Sequence, residues 1–186
     1  PFSICWNLIP KDKKLALEIG AGNGLFSLGF TNKNKDWFLI SLERTAEKAT
    51  AFHKKKKDFP NSNENLLFLR ADAINVVTHL IEPKALDKIF ILYPNPYIKS
   101  KHENLRWHNM AFLPELLSRL KSHGQLELRT NLYWYAKDFE EKMRDQFNLK
   151  ILIKEILNEE HQPETAFEKK YLARGEKCFR LVFSYK

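Results

Sequence analysis

The sequence predicts an α/β fold in which a mostly parallel sheet is covered by helices on both faces. Short apolar runs alternate along the chain with segments of helical periodicity, and this alternation is typical of βαβ units. The apolar run 15–19 leads directly into Gly20, Gly22 and Gly24. A second apolar run ends in Glu43, close to the spacing of roughly 20 residues found in nucleotide-binding βαβ units. We therefore expect a Rossmann-like fold.

The strands and helices can be assigned in chain order from the same alternation. Parallel strands are predicted at residues 15–20, 37–43, 66–70, 86–93 and 125–130. Helices are predicted near residues 24–31, 45–58, 73–80, 105–121 and 134–147. The fourth helix is predicted to end before Gly124, because glycine commonly follows a helix whose last turn is basic. Two further extended runs follow at 149–157 and 178–185, and we expect the C-terminal strand to be antiparallel.

Composition places the chain among globular proteins of one domain. It has 186 residues, of which 44% are hydrophobic and 29% are charged, enough for one sizeable core. No apolar run approaches the ~20 residues of a membrane span. No repeat or low-complexity linker divides the chain. We therefore expect residues 1–186 to be a single domain that lacks some N-terminal residues, since it begins with Pro1 rather than Met.

The charge of the chain favours a polyanionic partner. The formal net charge is +8 and the sequence pI is about 9.4, values that suit binding to nucleic acid. The densest basic run, residues 53–57, has two interpretations. It is either a solvated helix end or an extension of a surface that binds phosphates.

Cysteine and histidine usage argue against disulfide and metal frameworks. Cys5 and Cys178 lack Cys-x-x-Cys spacing, and isolated thiols of this kind indicate a reducing compartment. Residues 1–10 lack the basic start and the cleavage site of a signal peptide. No histidine pair has metalloprotease spacing, so we expect no metal site. The expected location is the cytoplasm, and the oligomeric state stays open, a monomer included.

Polar residues follow several of the predicted strands and should meet in one cleft. Sites in such sheets lie beyond the carboxyl ends of the strands. Glu43, Asp72, the loop 94–97 and Asn131 each follow a predicted strand, as do the glycines. Asp72 either caps the helix that starts at Ala73 or contacts the adenine edge of a nucleotide cofactor, and the two roles are compatible.

The segment 94–106 carries a second group of candidate residues. Pro94 and Pro96 flank Asn95 and restrict the backbone, which would hold that side chain in one place, although Asn-Pro is also a plain turn signal. Basic residues suited to phosphate contacts follow at Lys99, Lys101, His102 and Arg106. His102 could also carry a proton.

These motifs resemble known methyltransferases. The glycine turn, with Glu18 ahead of it, resembles the cofactor loop of class I S-adenosylmethionine methyltransferases. Over about residues 15–183 the chain resembles the bacterial tRNA (guanine-N7)-methyltransferase family, most specifically at 94–106, where that family shows Pro-Asp-Pro-Trp followed by basic residues. Thr165-Ala166-Phe167-Glu168 is similar to the family's Thr-x-aromatic-Glu signature. That segment also reads as a capping box that opens a short helix.

The resemblance implies a class I methyltransferase fold, S-adenosylmethionine as the cofactor and tRNA as the partner. It implies cofactor-binding roles for Glu18, Gly20, Gly22, Glu43, Arg44, Asp72 and Ala73, with the ribose hydroxyls on Glu43. It implies substrate contacts for Lys99, Lys101, His102, Asn131, Thr165 and Glu168. Asn95 would occupy the catalytic position.

Two departures from the family leave three functions open. Asn95 and Asn131 stand where the family has Asp. The favoured function is methylation of guanine N7 in tRNA, because signatures on both sides of the loop indicate it. Asn95-Pro96-Tyr97 also resembles the Asn-Pro-Pro-Tyr loop of amino-methyltransferases, which gives a second. The third is a tRNA-binding relative without turnover.

Overall fold

A computed structural model describes residues 9–59 and 64–185. The predictions made for Cys5 and for the start of the chain lie outside the described residues. The strands are β1 (Lys14–Ile19), β2 (Trp37–Glu43), β3 (Leu66–Arg70), β4 (Leu86–Leu92), β5 (Leu120–Thr130), β6 (Leu149–Leu157) and β7 (Cys178–Tyr185). The helices are α1 (Leu25–Lys33), α2 (Ala46–Lys56), α3 (Ala73–Leu80), α4 (Leu113–Ser118), α5 (Tyr133–Phe147) and α6 (Ala166–Leu172), with 3₁₀ turns at Ser100–Leu105 and Trp107–Asn109.

The strands form one sheet in the order β3-β2-β1-β4-β5-β7-β6. Strands β1 to β5 pair in parallel, whereas β7 is antiparallel to both β5 and β6. The order reverses between β1 and β4, which is the switch point where ligands bind in open α/β sheets. Thr130 pairs with Phe179, and Leu157 pairs with Cys178. The connection 158–177 therefore lies at the carboxyl edge of β5, and the predicted fold class is confirmed.

Helices cover both faces of the sheet. On one face, α1 and α2 contribute Phe26, Leu28 and Phe52 to a core around Ala16 and Phe90. On the other face, α3, α4 and α5 bury Val76, Val77, Leu116, Leu117, Tyr135, Phe139 and Met143 against the sheet. The inner strands β1 and β4 are buried on both faces, as their continuous apolar runs predict. No helix in residues 9–59 or 64–185 is long and apolar enough to cross a membrane.

The predicted helix at 105–121 is wrong. The segment forms two 3₁₀ turns, the short helix α4 and the start of β5. Pro114 stands at the start of α4, where its missing N–H costs nothing, but it would interrupt a longer helix. Leu120 pairs with Leu86, and Gly124 lies inside β5. A Cβ there would come within 3.0 Å of the Leu86 carbonyl oxygen, so Gly124 allows a close backbone approach and does not mark a helix end.

Candidate functional site

The glycine turn after β1 leaves open space on its outer side. Gly20, Gly22 and Gly24 have φ of 79°, 59° and 79°, conformations that favour glycine. A Cβ on Gly20 or Gly22 would meet nothing within 4 Å, whereas one on Gly24 would fall 2.4 Å from Cδ2 of Phe52. The first two glycines therefore border space that a ligand can enter, and the third lets α1 and α2 pack closely.

Glu43 ends β2 and ties the glycine turn to the next loop. Its Oε2 accepts the Gly22 amide at 3.0 Å, and its Oε1 accepts both the amide and the hydroxyl of Thr45 at 2.8 Å. A carboxylate has about four acceptor positions, so Oε2 keeps one for a further donor. Arg44 is exposed beside it.

Glu18 lies inside the protein behind the turn. It is 2% exposed, and it accepts hydrogen bonds from the Ser27 and Ser41 hydroxyls. Burial raises the pKa of Glu18 to about 7, although the two serines act in the opposite direction. Its side chain therefore supports β1, α1 and β2 from within.

Asp72 caps α3, as one of its two predicted roles requires. Its Oδ1 accepts the amides of Ile74 at 2.9 Å and Asn75 at 3.3 Å. Asp72 and Ala73 are both half-buried, and they follow β3 at the same sheet edge as Glu43. The contact to an adenine edge stays a prediction.

The loop 94–97 is held by strained backbone and by Arg106. Tyr93, just before the loop, and Tyr97, its last residue, have φ of 51° and 44°. Such values are uncommon for residues with a side chain and are found often at functional sites. The Oδ1 of Asn95 accepts the Tyr97 amide at 3.1 Å. The guanidinium of Arg106 donates to the Tyr97 carbonyl at 3.2 and 3.3 Å and lies 4.9 Å from the Trp134 ring. Arg106 therefore supports the loop, a role that its sequence position did not reveal.

The other basic residues of this segment lie at the surface. Lys99 and Lys101 are exposed, and His102 is half-buried with its ring 6.2 Å from that of Tyr97. Together with Asn95, which is exposed, they lie in the segment that follows β4 at the carboxyl edge of the sheet.

The segment 158–177 packs against residues that follow β4 and β5. Thr165 and Glu168 form a capping box at the start of α6, so that interpretation is confirmed. Phe167 and Tyr171 pack against the Tyr93 ring, with centroids 6.0 and 5.8 Å away. Asn131 donates from Nδ2 to Oε2 of Glu176 at 3.2 Å. The segment 158–177 therefore contacts Tyr93, after β4, through α6, and Asn131, after β5, through Glu176.

Sequence reasoning missed the ion network that joins β5 to α6. The guanidinium of Arg129 contacts Glu127 at 2.7 Å and both Glu164 and Glu168 at 2.9 Å. Burial alone would raise the pKa of Glu127, but Arg129, Lys88 and Arg180 hold it at about 2. A signal was present in the sequence, because Glu127 and Arg129 alternate with Leu126 and Leu128 in the predicted strand. Residues at alternate positions of a strand lie on the same face, so the two charged side chains should be neighbours.

The predicted residues therefore fall into two groups. The glycines, Glu43, Asp72 and the loop 94–97 meet at the carboxyl edge around the β1–β4 switch point. Glu18, Thr165 and Glu168 lie inside the protein, at 2%, 7% and 0% exposure, where protein groups already bind them. Glu43 belongs to the first group by its place at the end of β2, although it too is buried, at 5% exposure. No cluster that could hold a metal ion occurs in residues 9–59 and 64–185.

Solved structures with this fold include RNA methyltransferases. The 16S rRNA methyltransferase KamB matches with a TM-score of 0.75 at 14% identity, over 100% of this chain and 95% of that one. An antibiotic-related methyltransferase matches with a TM-score of 0.72 at 18% identity, over 97% and 92% of the two chains. With the strand order and the glycine turn, these matches define a class I methyltransferase fold.

Sequence comparison then gives the family. A family model described as "Putative methyltransferase" matches residues 12–181, and the chain belongs to this family. Proteins named tRNA (guanine-N(7)-)-methyltransferase are 27% identical over 97% of this chain in Thermotoga maritima and 28% identical over 90% in Buchnera aphidicola. The Coprothermobacter proteolyticus protein of that name is 30% identical over 100% of this chain. The resemblance seen in the sequence is confirmed, and the chain spans 57%, 69% and 56% of those relatives' lengths.

Proposed function

We propose that the protein transfers a methyl group from S-adenosylmethionine to N7 of a guanine in tRNA. The observation that carries this proposal is the position of the loop 94–97. It follows β4, the direct neighbour of β1 in the sheet, so Asn95 lies across the switch point from the glycine turn. The named activity of the relatives supports the same reaction.

The residues at the switch point fit S-adenosylmethionine. Open space in front of Gly20 and Gly22 admits the cofactor, and the remaining acceptor position on Oε2 of Glu43 suits a ribose hydroxyl. Asp72 and Ala73 would border the adenine, and the exposed Arg44 would flank the adenosine. Glu18 would act indirectly, by supporting the turn. When bound, the cofactor supplies a methyl group on a sulfonium sulfur, and the electron pair of the broken S–C bond stays on sulfur as the C–N7 bond forms.

Methylation at N7 demands alignment more than proton transfer. Guanine N7 carries a lone pair and no proton, so the protein needs no general base. It must hold N7 near 3 Å from the methyl carbon, and it must stabilise the positive charge that develops on the purine. Asn95 would orient the base, because its Oδ1 is fixed by the Tyr97 amide and its amide side chain is exposed to the cleft.

The same hydrogen bond bears on the amine alternative. An amino-methyltransferase of this type needs the Asn oxygen as an acceptor for the substrate amine. In this protein the Tyr97 amide already donates to that oxygen at 3.1 Å, which leaves one of its two lone pairs. The remaining lone pair can still accept from an amine, so the preference for guanine rests on the relatives named tRNA (guanine-N(7)-)-methyltransferase, and an amine product would contradict it.

The tRNA would lie across the basic edge of the cleft. Lys99 and Lys101 are exposed and can reach phosphates, and His102 borders the loop. Phosphate contacts release counterions, so the affinity for tRNA should fall steeply as salt increases. A tRNA-modifying enzyme acts where tRNA is found, which makes the cytoplasm the expected compartment.

Thr165 and Glu168 would serve the substrate by holding α6. Both oxygens of Glu168 have protein partners, since Oε1 contacts Arg129 at 2.9 Å and Oε2 accepts the Glu164 amide at 2.7 Å. Glu168 is 0% exposed, so a substrate could not reach it without displacing α6. The helix that they fix presents Phe167, 40% exposed, near the cleft.

The test is transfer of tritium from S-adenosylmethionine to total tRNA, followed by digestion and identification of the labelled nucleoside. The expected product is 7-methylguanosine. Label in an exocyclic amine would favour the amino-methyltransferase. Binding of tRNA and cofactor with no labelled nucleoside would support the relative without turnover.

A further inference from the structure

A carboxylate stands beside Asn131 at the carboxyl end of β5. Oε2 of Glu176 accepts the Asn131 amide at 3.2 Å. Asn131 directly follows β5, and Glu176 stands two residues before β7, whose Phe179 pairs with Thr130. The pair therefore lies at the edge of the sheet that holds the candidate site.

The backbone holds Glu176 firmly in this position. Gly175, three residues after the end of α6, has a φ of 71°, a left-handed conformation typical of the turn that follows a helix. The Glu176 amide donates to the Tyr171 carbonyl at 3.1 Å, and the buried Cys178 starts β7. The Glu176 side chain is nevertheless 39% exposed, so a ligand can reach its carboxylate.

The other carboxylates near this edge of the sheet accept hydrogen bonds or ion pairs from the fold, and the acceptor position that Glu43 keeps is assigned to the cofactor ribose. Glu43 and Asp72 accept backbone amides, Glu18 is buried against two serines, and Glu164 and Glu168 contact Arg129. Glu176 has a different environment. Its second oxygen faces Arg174 at 3.9 Å, a distance at which exposed ion pairs contribute little.

We propose that Glu176, oriented by Asn131, reads the donor edge of the target purine. Guanine presents two adjacent donors, N1–H and the exocyclic amine, and a carboxylate can accept both. Adenine presents a donor beside an acceptor on that edge, and the acceptor would repel a carboxylate. The negative charge would also stabilise the cation formed by methylation at N7. This inference rests on the proposed function and names its specificity-determining residue.

Binding of mononucleotides tests the inference without turnover. Titration of the protein with guanosine and adenosine monophosphates, with S-adenosylhomocysteine present, should show a preference for the guanine nucleotide. Glu176→Gln should reduce that preference about 10-fold or more, as expected for one good base-edge contact. Glu159→Gln makes the same change at an exposed position of the same segment and should leave the preference unchanged.

Exchange of the two groups distinguishes recognition from structure. The double variant Asn131→Asp with Glu176→Gln keeps a carboxylate and an amide side by side but swaps their positions. It should recover part of the guanine preference and of the kcat for tRNA that Glu176→Gln loses. A purely structural pair would change the unfolding temperature and leave the ratio of guanine to adenine affinity unchanged.

The two assays separate this inference from the proposed function. Suppose that the wild type methylates guanine in tRNA. If Glu176→Gln then prefers the guanine nucleotide as strongly as the control Glu159→Gln does, the inference is wrong while the function stands. If the wild type prefers the guanine nucleotide through Glu176 but labels no guanine in tRNA, the inference stands and the function is wrong. A wild type without nucleotide preference contradicts the inference directly.

Discussion

Arg129 and Glu168 form a buried ion pair that fastens α6 to the central sheet. Nη1 of Arg129 lies 2.9 Å from Oε1 of Glu168, and the two side chains are 4% and 0% exposed. Since α6 carries Phe167 and the turn after it leads to Glu176, this pair positions both residues from inside the protein. The helix has only seven residues, too few to be stable without such tertiary contacts.

Replacing Arg129 with Met should destabilise the protein by about 3–5 kcal/mol, because it leaves buried carboxylates without their partner. Equilibrium unfolding in urea measures the change. Lys137→Met is the control, because it removes a surface ion pair. Lys137 Nζ lies 3.8 Å from Oε1 of Glu141, and the lysine side chain is more than half exposed. Its loss should lower the free energy of unfolding by less than about 1 kcal/mol. Equal effects of the two substitutions would contradict the assigned role of Arg129.

Glu18 should make the free energy of unfolding depend on pH between about pH 4.5 and 7. Its pKa in the folded protein is raised from the ordinary 4.5 to about 7, so the folded state binds the proton more tightly than the unfolded state. The stabilisation from the protonated form is complete below about pH 4.5 and is lost as pH rises to about 7, by roughly 3 kcal/mol.

Glu18→Gln isolates this effect, since the amide does not titrate. Urea unfolding of wild type and variant at several values between about pH 5 and 8 should show the wild type losing stability relative to the variant as pH rises. The window of Glu127, whose pKa of about 2 lies below the ordinary value, is acidic and does not overlap. A constant difference across the range would show that Glu18 titrates normally.

Glu43→Ala should weaken binding of S-adenosylmethionine about 10- to 100-fold. The variant loses a hydrogen bond to a charged group, and such a bond contributes ~1.5–3 kcal/mol. Isothermal titration calorimetry gives the constant. Glu47→Ala, in the first turn of α2 and exposed, is the matched control and should bind like the wild type. No detectable binding to the intact protein at millimolar cofactor would contradict the cofactor site itself.

Asn95→Asp should raise the turnover of guanine methylation, because it adds a negative charge near the developing cation. The gain should appear in kcat more than in tRNA affinity, since the charge acts mainly in the transition state. Asn158→Asp is the control, because Asn158 makes the same local turn with its Oδ1 on the Glu160 amide at 3.2 Å. A fall in activity of Asn95→Asp would favour an amine substrate.

The local patterns of the sequence determined the positions of the strands along the chain and most of the helices. Apolar runs predicted all seven strands, because their side chains must be buried on one or both faces wherever the strands pair. The glycine turn and the capping box at Thr165 are also local, since each is specified by a few neighbouring residues. For the same reason Glu43, Asp72 and Asn95 could be placed at strand ends before the fold was known.

Contacts between distant parts of the chain decided the rest. The segment 105–121 has helical periodicity, yet pairing of Leu120 with Leu86 draws its end into the sheet. Arg129 reaches Glu168 across 39 positions, and Asn131 reaches Glu176 across 45. Which carboxylates are buried with partners, and which one stays partly exposed at the end of β5, depends on these pairings. A single sequence lists the charged groups, but their partners and burial are set only when β5, α6 and β7 pack together.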